Sequence, residues 1–296
     1  LPLIEGEAVV ERPTDQDTLT KRYTERAVSF IEEHRNQPFF LYLSHNMPHD
    51  PLHASDAFRG RSGHGIYSDA IEEIDWSVGQ VLDCLDRHDL SERTFVYFTS
   101  DNGGEPRFGG VNEPLRGSKG QTWEGGMRVP GIAWWPGTIS PGQVSDEVAT
   151  IMDLFPTVHR LVHGESFVDA VIDGHDLMPL LTRRVTQSAY QAFFYYDRDQ
   201  LQAVRSGQWK LHLPNEQRFA NHYRDDAFAM DAELYDLQAD IGETTNVADR
   251  HPDVVSRLTR YAKHATAVFG SQDAPSRYVR PAGMVAEVHE HPEQTQ

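Results

Sequence analysis

The chain has 296 residues, of which 39% are hydrophobic and 10% aromatic, enough to form one large domain or a large and a smaller one. Its formal net charge of -18 argues against a surface for nucleic acid or anionic membrane, because both need clustered Lys and Arg. The single cysteine excludes an intramolecular disulfide framework and any cysteine-based zinc site. No apolar run approaches the length that spans a bilayer. We therefore expect a small-molecule partner, no nucleic acid and no membrane span.

Helices and strands alternate in the first part of the chain. Apolar residues at steps of three and four predict helices from Thr20 to His34 and from Tyr67 to Leu90, and DLFPTVHRLV predicts a third with Pro156 in its first turn. Aromatic and β-branched runs predict short buried strands at FFLYLS, TFVYFTS and VPGIAWW. Because helices separate these strands, the pattern predicts an α/β fold with a mostly parallel sheet covered on both faces.

The pattern changes after about Arg184. Short strands with no helix between them predict a small antiparallel sheet, and a final helix from about Pro252 to Phe269 is expected to pack against it. The residues that follow have no periodicity. We therefore predict an α/β domain over residues 1–184, an antiparallel-sheet subdomain over 185–270 and an irregular tail over 271–296.

The strand TFVYFTS ends on Asp101, Asn102 and two glycines. Ligands of open α/β sheets collect at the carboxyl ends of the parallel strands, and carboxylate and amide oxygens suit Ca²⁺ or Mg²⁺ better than zinc. The pattern thus indicates a site for one hard cation. The same residue types also dominate ordinary turns, so the motif alone leaves both interpretations open.

Two further segments carry residues suited to an anionic substrate. SHNMPHDP, residues 44–51, follows the predicted FFLYLS strand and offers histidines near neutral pKa, suited to proton transfer or to anion binding. LRGSKGQTWEGGMRVP, residues 115–130, places Arg116, Lys119 and Arg128 among four glycines, which permit close backbone approach to a ligand. Taken singly, each is also typical of a polar surface loop.

Together these segments resemble the formylglycine-dependent sulfatases. The matching segments occur in the family's order from roughly Thr20 to Phe269, and they include FTSDNG, the Lys119 loop, DGHDLMPLL and ELYDLQADIGETTNVA. The resemblance implies an alkaline-phosphatase-like fold, a Ca²⁺ or Mg²⁺ cofactor and hydrolysis of sulfate esters. The substrate it implies is a small-molecule or sugar sulfate ester, and the location it implies is secreted, periplasmic or lysosomal.

The resemblance also implies roles at matching positions. Asp101 and Asn102 are similar to metal ligands, His49 to the histidine that contacts sulfate and assists departure of the alcohol, and Lys119 to a sulfate-binding lysine. Arg116, Glu124 and Arg128 match positions that we expect to hold the loop in place.

One expected element of the family is missing. The C/S-x-P-S/A-R segment, whose Cys or Ser becomes formylglycine, does not precede these segments, and neither does the pair of aspartates that completes the metal site. Cys84 lies in an amphipathic helix and is interpreted as a small core residue. We expect the chain to be the carboxyl portion of a sulfatase, inactive by itself, with the missing amino-terminal half as its partner.

Two alternatives differ in class. A phosphatase or phosphodiesterase of the alkaline phosphatase superfamily shares the sheet, although two-zinc members usually place His where Asn102 stands. A non-catalytic remnant fits the absent nucleophile. Metal analysis separates the first alternative from a sulfatase.

Overall fold

The computed structural model of the chain describes residues 2–165, 172–219 and 227–271. They divide into two compact units, Leu1–Gln191 with Gln238–Thr244, and Ala192–Leu237 with Thr245–Gln296. No helix in these ranges is both long and apolar enough to cross a bilayer. Except for its first residue, the predicted tail lies outside the described residues.

The first unit contains four strands and five α-helices in its described residues. In chain order they are β1 (Leu3–Glu5), β2 (Ala8–Glu11), α1 (Leu19–His34), α2 (Ile66–Arg87), β3 (Val96–Thr99), α3 (Glu124–Met127), β4 (Gly131–Trp134), α4 (Leu154–His163) and α5 (Met178–Leu181). The predicted helices α1, α2 and α4 are confirmed, and Pro156 lies in the first turn of α4. The hairpin of β1 and β2 was not predicted.

The helices α1 and α2 form the core of the first unit. Ile31 of α1 packs with Cys84 and Leu85 of α2, and all three side chains are almost fully buried. A hydrogen bond of 2.6 Å between the hydroxyls of Thr24 and Ser77 also joins the two helices in the interior. The apolar stripes read from the sequence are thus the faces that the two helices bury against each other.

The strands β3 and β4 are where the sequence predicted them, but they pair antiparallel. The predicted parallel arrangement is therefore wrong for these two strands. Side chains of β3 and β4, including Val96 and Trp134, pack against the α1–α2 core. This contact fixes the start of β3, and Asp101 and Asn102 follow its other end, after Thr99.

The predicted FFLYLS strand is wrong. Residues 39–44 pair with no strand in the described part of the chain. Phe39 and Leu41 pack against the α1–α2 core, while Phe40 and Tyr42 are 66% and 68% exposed. Buried and exposed side chains alternate along this segment as they do in a strand, but a strand also needs a hydrogen-bonded neighbour.

The second unit is built on an antiparallel sheet in the order β10-β7-β6-β5, as predicted. Its strands are β5 (Phe193–Asp197), β6 (Gln200–Ser206), β7 (Trp209–His212) and β10 (Glu233–Asp236), with an unpredicted hairpin of β8 (Asn215–Phe219) and β9 (Ala227–Met230). The final helix, α6 (Pro252–Phe269), has the predicted bounds. Leu258 and Ala265 of α6 pack with Val204 and Leu211 of the sheet.

Candidate active site

Asp101 and Asn102 begin the loop that leaves the end of β3. The backbone N–H of Asn102 donates to Asp101 Oδ1 at 2.9 Å, and the amide nitrogen of Asn102 donates to the Gly103 carbonyl at 2.9 Å. The second carboxylate oxygen of Asp101 and the amide oxygen of Asn102 are therefore not used by these bonds, and the Asp101 side chain is exposed. Two hard oxygen donors at one loop fit part of a Ca²⁺ or Mg²⁺ site, with the remaining ligands supplied elsewhere.

The loop that follows Asp101 and Asn102 is hydrogen-bonded to the loop of Lys119. The Gly103 N–H donates to the Gly126 carbonyl at 3.0 Å, and the Lys119 N–H donates to the Gly104 carbonyl at 3.2 Å. The Asn112 side chain adds two bonds to the backbone of Gly104, at 2.8 and 2.9 Å. The structure thus brings the predicted metal-binding segment and the predicted sulfate-binding segment together through their backbones.

Glycines make this junction possible. A Cβ added at Gly103 would stand 1.8 Å from the carbonyl oxygen of Gly125, and one at Gly126 would stand 2.2 Å from the carbonyl oxygen of Gln121. Both distances are far inside van der Waals contact. A side chain at Gly103 would push the two loops apart, and one at Gly126 would distort the Lys119 loop itself. The glycines therefore allow backbone to approach backbone, and a ligand is not needed to explain them.

Glu243 anchors the Lys119 loop from a distant part of the sequence. Its carboxylate accepts the N–H of Glu124 at 2.7 Å, and its backbone carbonyl accepts Arg116 Nη1 at 2.9 Å. The Arg116 guanidinium also lies 3.7 Å from the ring centre of Trp123. Glu243 is fully buried and has a φ of 51°, a left-handed conformation that non-glycine residues rarely adopt.

Sequence reasoning missed Glu243 as a supporting residue. Its segment, ELYDLQADIGETTNVA, contributes to the family resemblance alone, because local patterns give no hint of a contact across 119 positions. The expectation that Arg116 and Glu124 belong to the frame of the loop agrees with these contacts. The Arg128 side chain lies near Asp146 instead, with its guanidinium 3.9 Å from that exposed carboxylate.

The positive charge of Lys119 acts on the carboxylate of Glu105. A hydrogen bond from Arg107 is the main cause that lowers the pKa of the Glu105 carboxyl, and the Lys119 charge contributes in the same direction. The Lys119 ammonium is thus close enough to influence a carboxylate in the loop that also carries Asp101 and Asn102. An anion bound beside this loop would also be attracted by the Lys119 charge.

His49 lies on the loop after residues 39–44 and is exposed. Its Nδ1 lies 2.7 Å from the Asp50 carbonyl oxygen, and because a carbonyl only accepts, Nδ1 carries the hydrogen. The described contacts of His49 are local, and they do not join it to Asp101 or Lys119. The structure therefore brings together three of the four predicted site residues and leaves His49 on a separate loop.

Asp17 anchors the loop that carries His49. Its carboxylate lies 2.7 Å from His53 Nδ1 and 2.7 Å from the guanidinium of Arg59. These two contacts hold residues 53–59 against the turn that precedes α1. The hydrogen bond to His53, followed by the charge of Arg59, lowers the pKa of the Asp17 carboxyl. The segment that follows His49 is therefore held by the contacts of His53 and Arg59 with Asp17, and not by His49 itself.

The sequence of the chain matches a known protein family in both of its units. Residues 4–164 match the Sulfatase family, and residues 188–278 match the C-terminal region of aryl-sulfatase. The chain belongs to the sulfatase family. The predicted family is thereby confirmed, and both units of the chain carry sulfatase sequence.

Curated sulfatases are similar along most of the chain. Mouse (Mus musculus) steryl-sulfatase is 46% identical over 220 residues, which are 70% of this chain and 35% of that protein. Mouse N-acetylgalactosamine-6-sulfatase is 46% identical over 210 residues, which are 69% of this chain and 40% of that protein. The chain therefore spans little more than a third of the length of these two sulfatases.

Solved structures confirm the sulfatase fold. A sulfatase from Pseudoalteromonas sp. matches with a TM-score of 0.75 and 26% identity, over 88% of this chain and 55% of that one. A phosphonate monoester hydrolase from Silicibacter pomeroyi matches with a TM-score of 0.61 and 18% identity, over 90% and 64%. The second match shows the shared fold alone, so it lends no support to phosphatase or phosphonatase chemistry in this chain.

Proposed function

We propose that this chain supplies the cation-binding and sulfate-binding part of a sulfuric ester hydrolase. The observation that carries the proposal is the hydrogen-bonded junction between the loop of Asp101 and Asn102 and the loop of Lys119. Two hard oxygen donors and a cationic side chain on joined loops suit an anionic ester. The nucleophile, a formylglycine in this family, is expected in a preceding segment together with the remaining metal ligands.

Each residue has a distinct role in the proposed mechanism. Lys119 binds the sulfuryl oxygens and offsets the charge that grows on them as the ester bond breaks. His49 donates a proton to the departing alcohol from Nε2 when both of its ring nitrogens carry a hydrogen, since Nδ1 keeps its own hydrogen in the bond to the Asp50 carbonyl. A Ca²⁺ or Mg²⁺ ion held partly by Asp101 and Asn102 would add positive charge at the same oxygens.

The proposed macromolecular partner is the amino-terminal half of the same sulfatase. Phe40 and Tyr42 lie exposed beside the α1–α2 core, and Ile132 of β4 is 58% exposed. Apolar side chains of this size are normally covered, and strand edges normally pair. Further strands of the sulfatase sheet would cover these apolar side chains and pair with the strand edge.

The proposed location, outside the cytosol, rests only on the family resemblance.

The metal assignment is tested by replacing Asp101 in the longer protein. Asp101→Asn should release most of the Ca²⁺ or Mg²⁺, because the cation loses a charged ligand. Elemental analysis after gel filtration measures the loss, and Asp56→Asn, at an exposed carboxylate, should retain the ion. An Asp101→Asn protein that keeps its full metal content would refute the assignment.

A further inference from the structure

Three potential metal ligands meet where α1 lies against the end of α2. The ligand atoms of Glu32, Cys84 and His88 all lie within 4.8 Å of one another. Cys84 lies in the last turn of α2, His88 is the residue that directly follows this helix, and Glu32 comes from α1. The proposed sulfatase chemistry uses none of these residues.

The spacing of the atoms suits a tetrahedral ion. His88 Nε2 lies 3.7 Å from Glu32 Oε1, which is too far for a hydrogen bond. Two ligands at 2.0–2.3 Å from a tetrahedral zinc ion stand roughly 3.3–3.7 Å apart. The gap between imidazole and carboxylate thus matches two ligands with an ion between them.

The atoms themselves are poorly satisfied without an ion. His88 Nε2 is buried and makes no hydrogen bond within the described residues, although nearly all buried polar atoms have a partner. The Cys84 thiol is fully buried and donates only a long hydrogen bond, to the Val28 carbonyl at 3.9 Å. A bound cation would give both atoms a strong partner.

We propose that Glu32, Cys84 and His88 bind a zinc-class divalent ion, with water or another ligand in the fourth position. A thiolate, an imidazole and a carboxylate favour Zn²⁺ or Co²⁺ over the hard cation assigned to Asp101. The Cys84 thiol loses its proton to solvent on binding, because only the thiolate is a ligand. This proposal departs from the expectation, drawn from the cysteine count, that a cysteine-based zinc site is excluded, because one thiolate is enough when His and Glu supply the other ligands.

Two competing structural features bear on this site. Arg87 Nη1 lies 3.9 Å from the same oxygen of Glu32, so the carboxylate has a partial ion pair without any metal. Cys84 also fills core space between α1 and α2 as a small apolar residue. Neither feature provides a partner for His88 Nε2.

Cobalt titration of the metal-free 296-residue chain tests the proposal. A Co²⁺–thiolate bond produces a charge-transfer absorption band in the near ultraviolet, which Zn²⁺ should remove by competition. Cys84→Ser should abolish the band, and His88→Gln and Glu32→Gln should each weaken Co²⁺ binding at least about tenfold. The hard-cation site of Asp101 contains no thiolate, so this result is independent of the proposed sulfatase function.

Matched controls come from the same helix. His34→Gln and Glu33→Gln replace a neighbouring histidine and a neighbouring carboxylate of α1, and both should leave the band and the affinity unchanged. Circular dichroism checks that every variant is folded. If Cys84→Ser unfolds the chain, His88→Gln decides, since it leaves the core untouched. Absence of the band from the unmodified chain, or unchanged affinity in His88→Gln, would overturn the site.

Discussion

At the scale of single residues, His45 and His49 differ in environment although they share one loop. The His45 ring is largely buried, its Nε2 lies 3.2 Å from the Ser77 hydroxyl, and burial lowers its pKa. The His49 ring is exposed and 61% accessible. Burial therefore disfavours the charged form of His45, and His49 is the histidine that we propose contacts the substrate.

Replacing His49 should affect substrates unequally. His49→Ala in the longer protein should slow hydrolysis of alkyl sulfates by roughly 10²–10⁴-fold, because a basic alkoxide needs a proton as it leaves. Nitrophenyl sulfate, whose leaving group is stable as an anion, should be affected far less. The two kcat/KM values measure the difference, and an equal loss on both esters would refute the role of His49 as acid.

The buried His45 should make folding stability depend on pH. Its folded pKa is below the ordinary value of 6.5, so as pH falls below 6.5 the unfolded chain takes up a proton before the folded chain does. The free energy of unfolding should therefore decrease as pH falls from about 6.5 towards the folded pKa. Urea unfolding at pH 7.5 and 5.5 measures this decrease.

The matched variants separate His45 from other titrating groups. His45→Gln should show a smaller decrease between the two pH values, whereas His64→Gln, at an exposed position, should keep the decrease of the unmodified chain. A decrease of the same size in His45→Gln would assign the pH dependence to other groups.

At the scale of elements, the interlocked loops of Asp101 and Lys119 form a single structural unit. Gly103→Ala should destabilise this unit by about 1–3 kcal/mol or more, because its Cβ would collide with the Gly125 carbonyl. Gly79→Ala is the control. No atom lies within 4 Å of the added Cβ at this helical position of α2, so it should stabilise the chain by about 0.5–1 kcal/mol.

Thermal unfolding of both glycine variants measures these opposite shifts. Gly103→Ala in the longer protein should also weaken sulfate binding, because the frame of Lys119 is displaced. If Gly103→Ala were as stable as the unmodified protein, the two loops would not be held together as described.

Sequence periodicity predicted the helices well because each buries an apolar stripe that its own residues define. The 39–44 segment shows the limit, since Phe39 and Leu41 face the core as a strand would, yet a strand also depends on a neighbour outside the segment. Glu243 shows the same limit for the site. Its contact with Glu124 spans 119 positions, and no local pattern encodes it. Asp101, Asn102 and Lys119 could be selected from the sequence because residue chemistry and order along the chain both indicated them, and their loops are hydrogen-bonded to each other. Their roles as ligands stay a prediction.

At the scale of the whole molecule, the chain corresponds to only part of the length of the sulfatases that it resembles. It covers 35% of the matched steryl-sulfatase, and Phe40, Tyr42 and Ile132 are exposed. Asp101 and Asn102 provide two donors where Ca²⁺ usually collects six to eight oxygens, so metal binding by the chain alone should be weak. We therefore propose that activity belongs to the longer protein and not to residues 1–296 alone.

Hydrolysis of nitrophenyl sulfate by the chain and by the longer protein tests this assignment most directly. The purified 296-residue chain, checked by mass spectrometry, should show no activity, and the longer protein should be active. In the longer protein, Lys119→Ala should reduce kcat by roughly 10²–10³-fold, as expected when a group that stabilises developing charge is removed. Lys263→Ala, at an exposed site on α6, should not change it. Hydrolysis by the 296-residue chain alone, at a rate that Lys119→Ala abolishes, would contradict the account, because the nucleophile would then lie within this sequence.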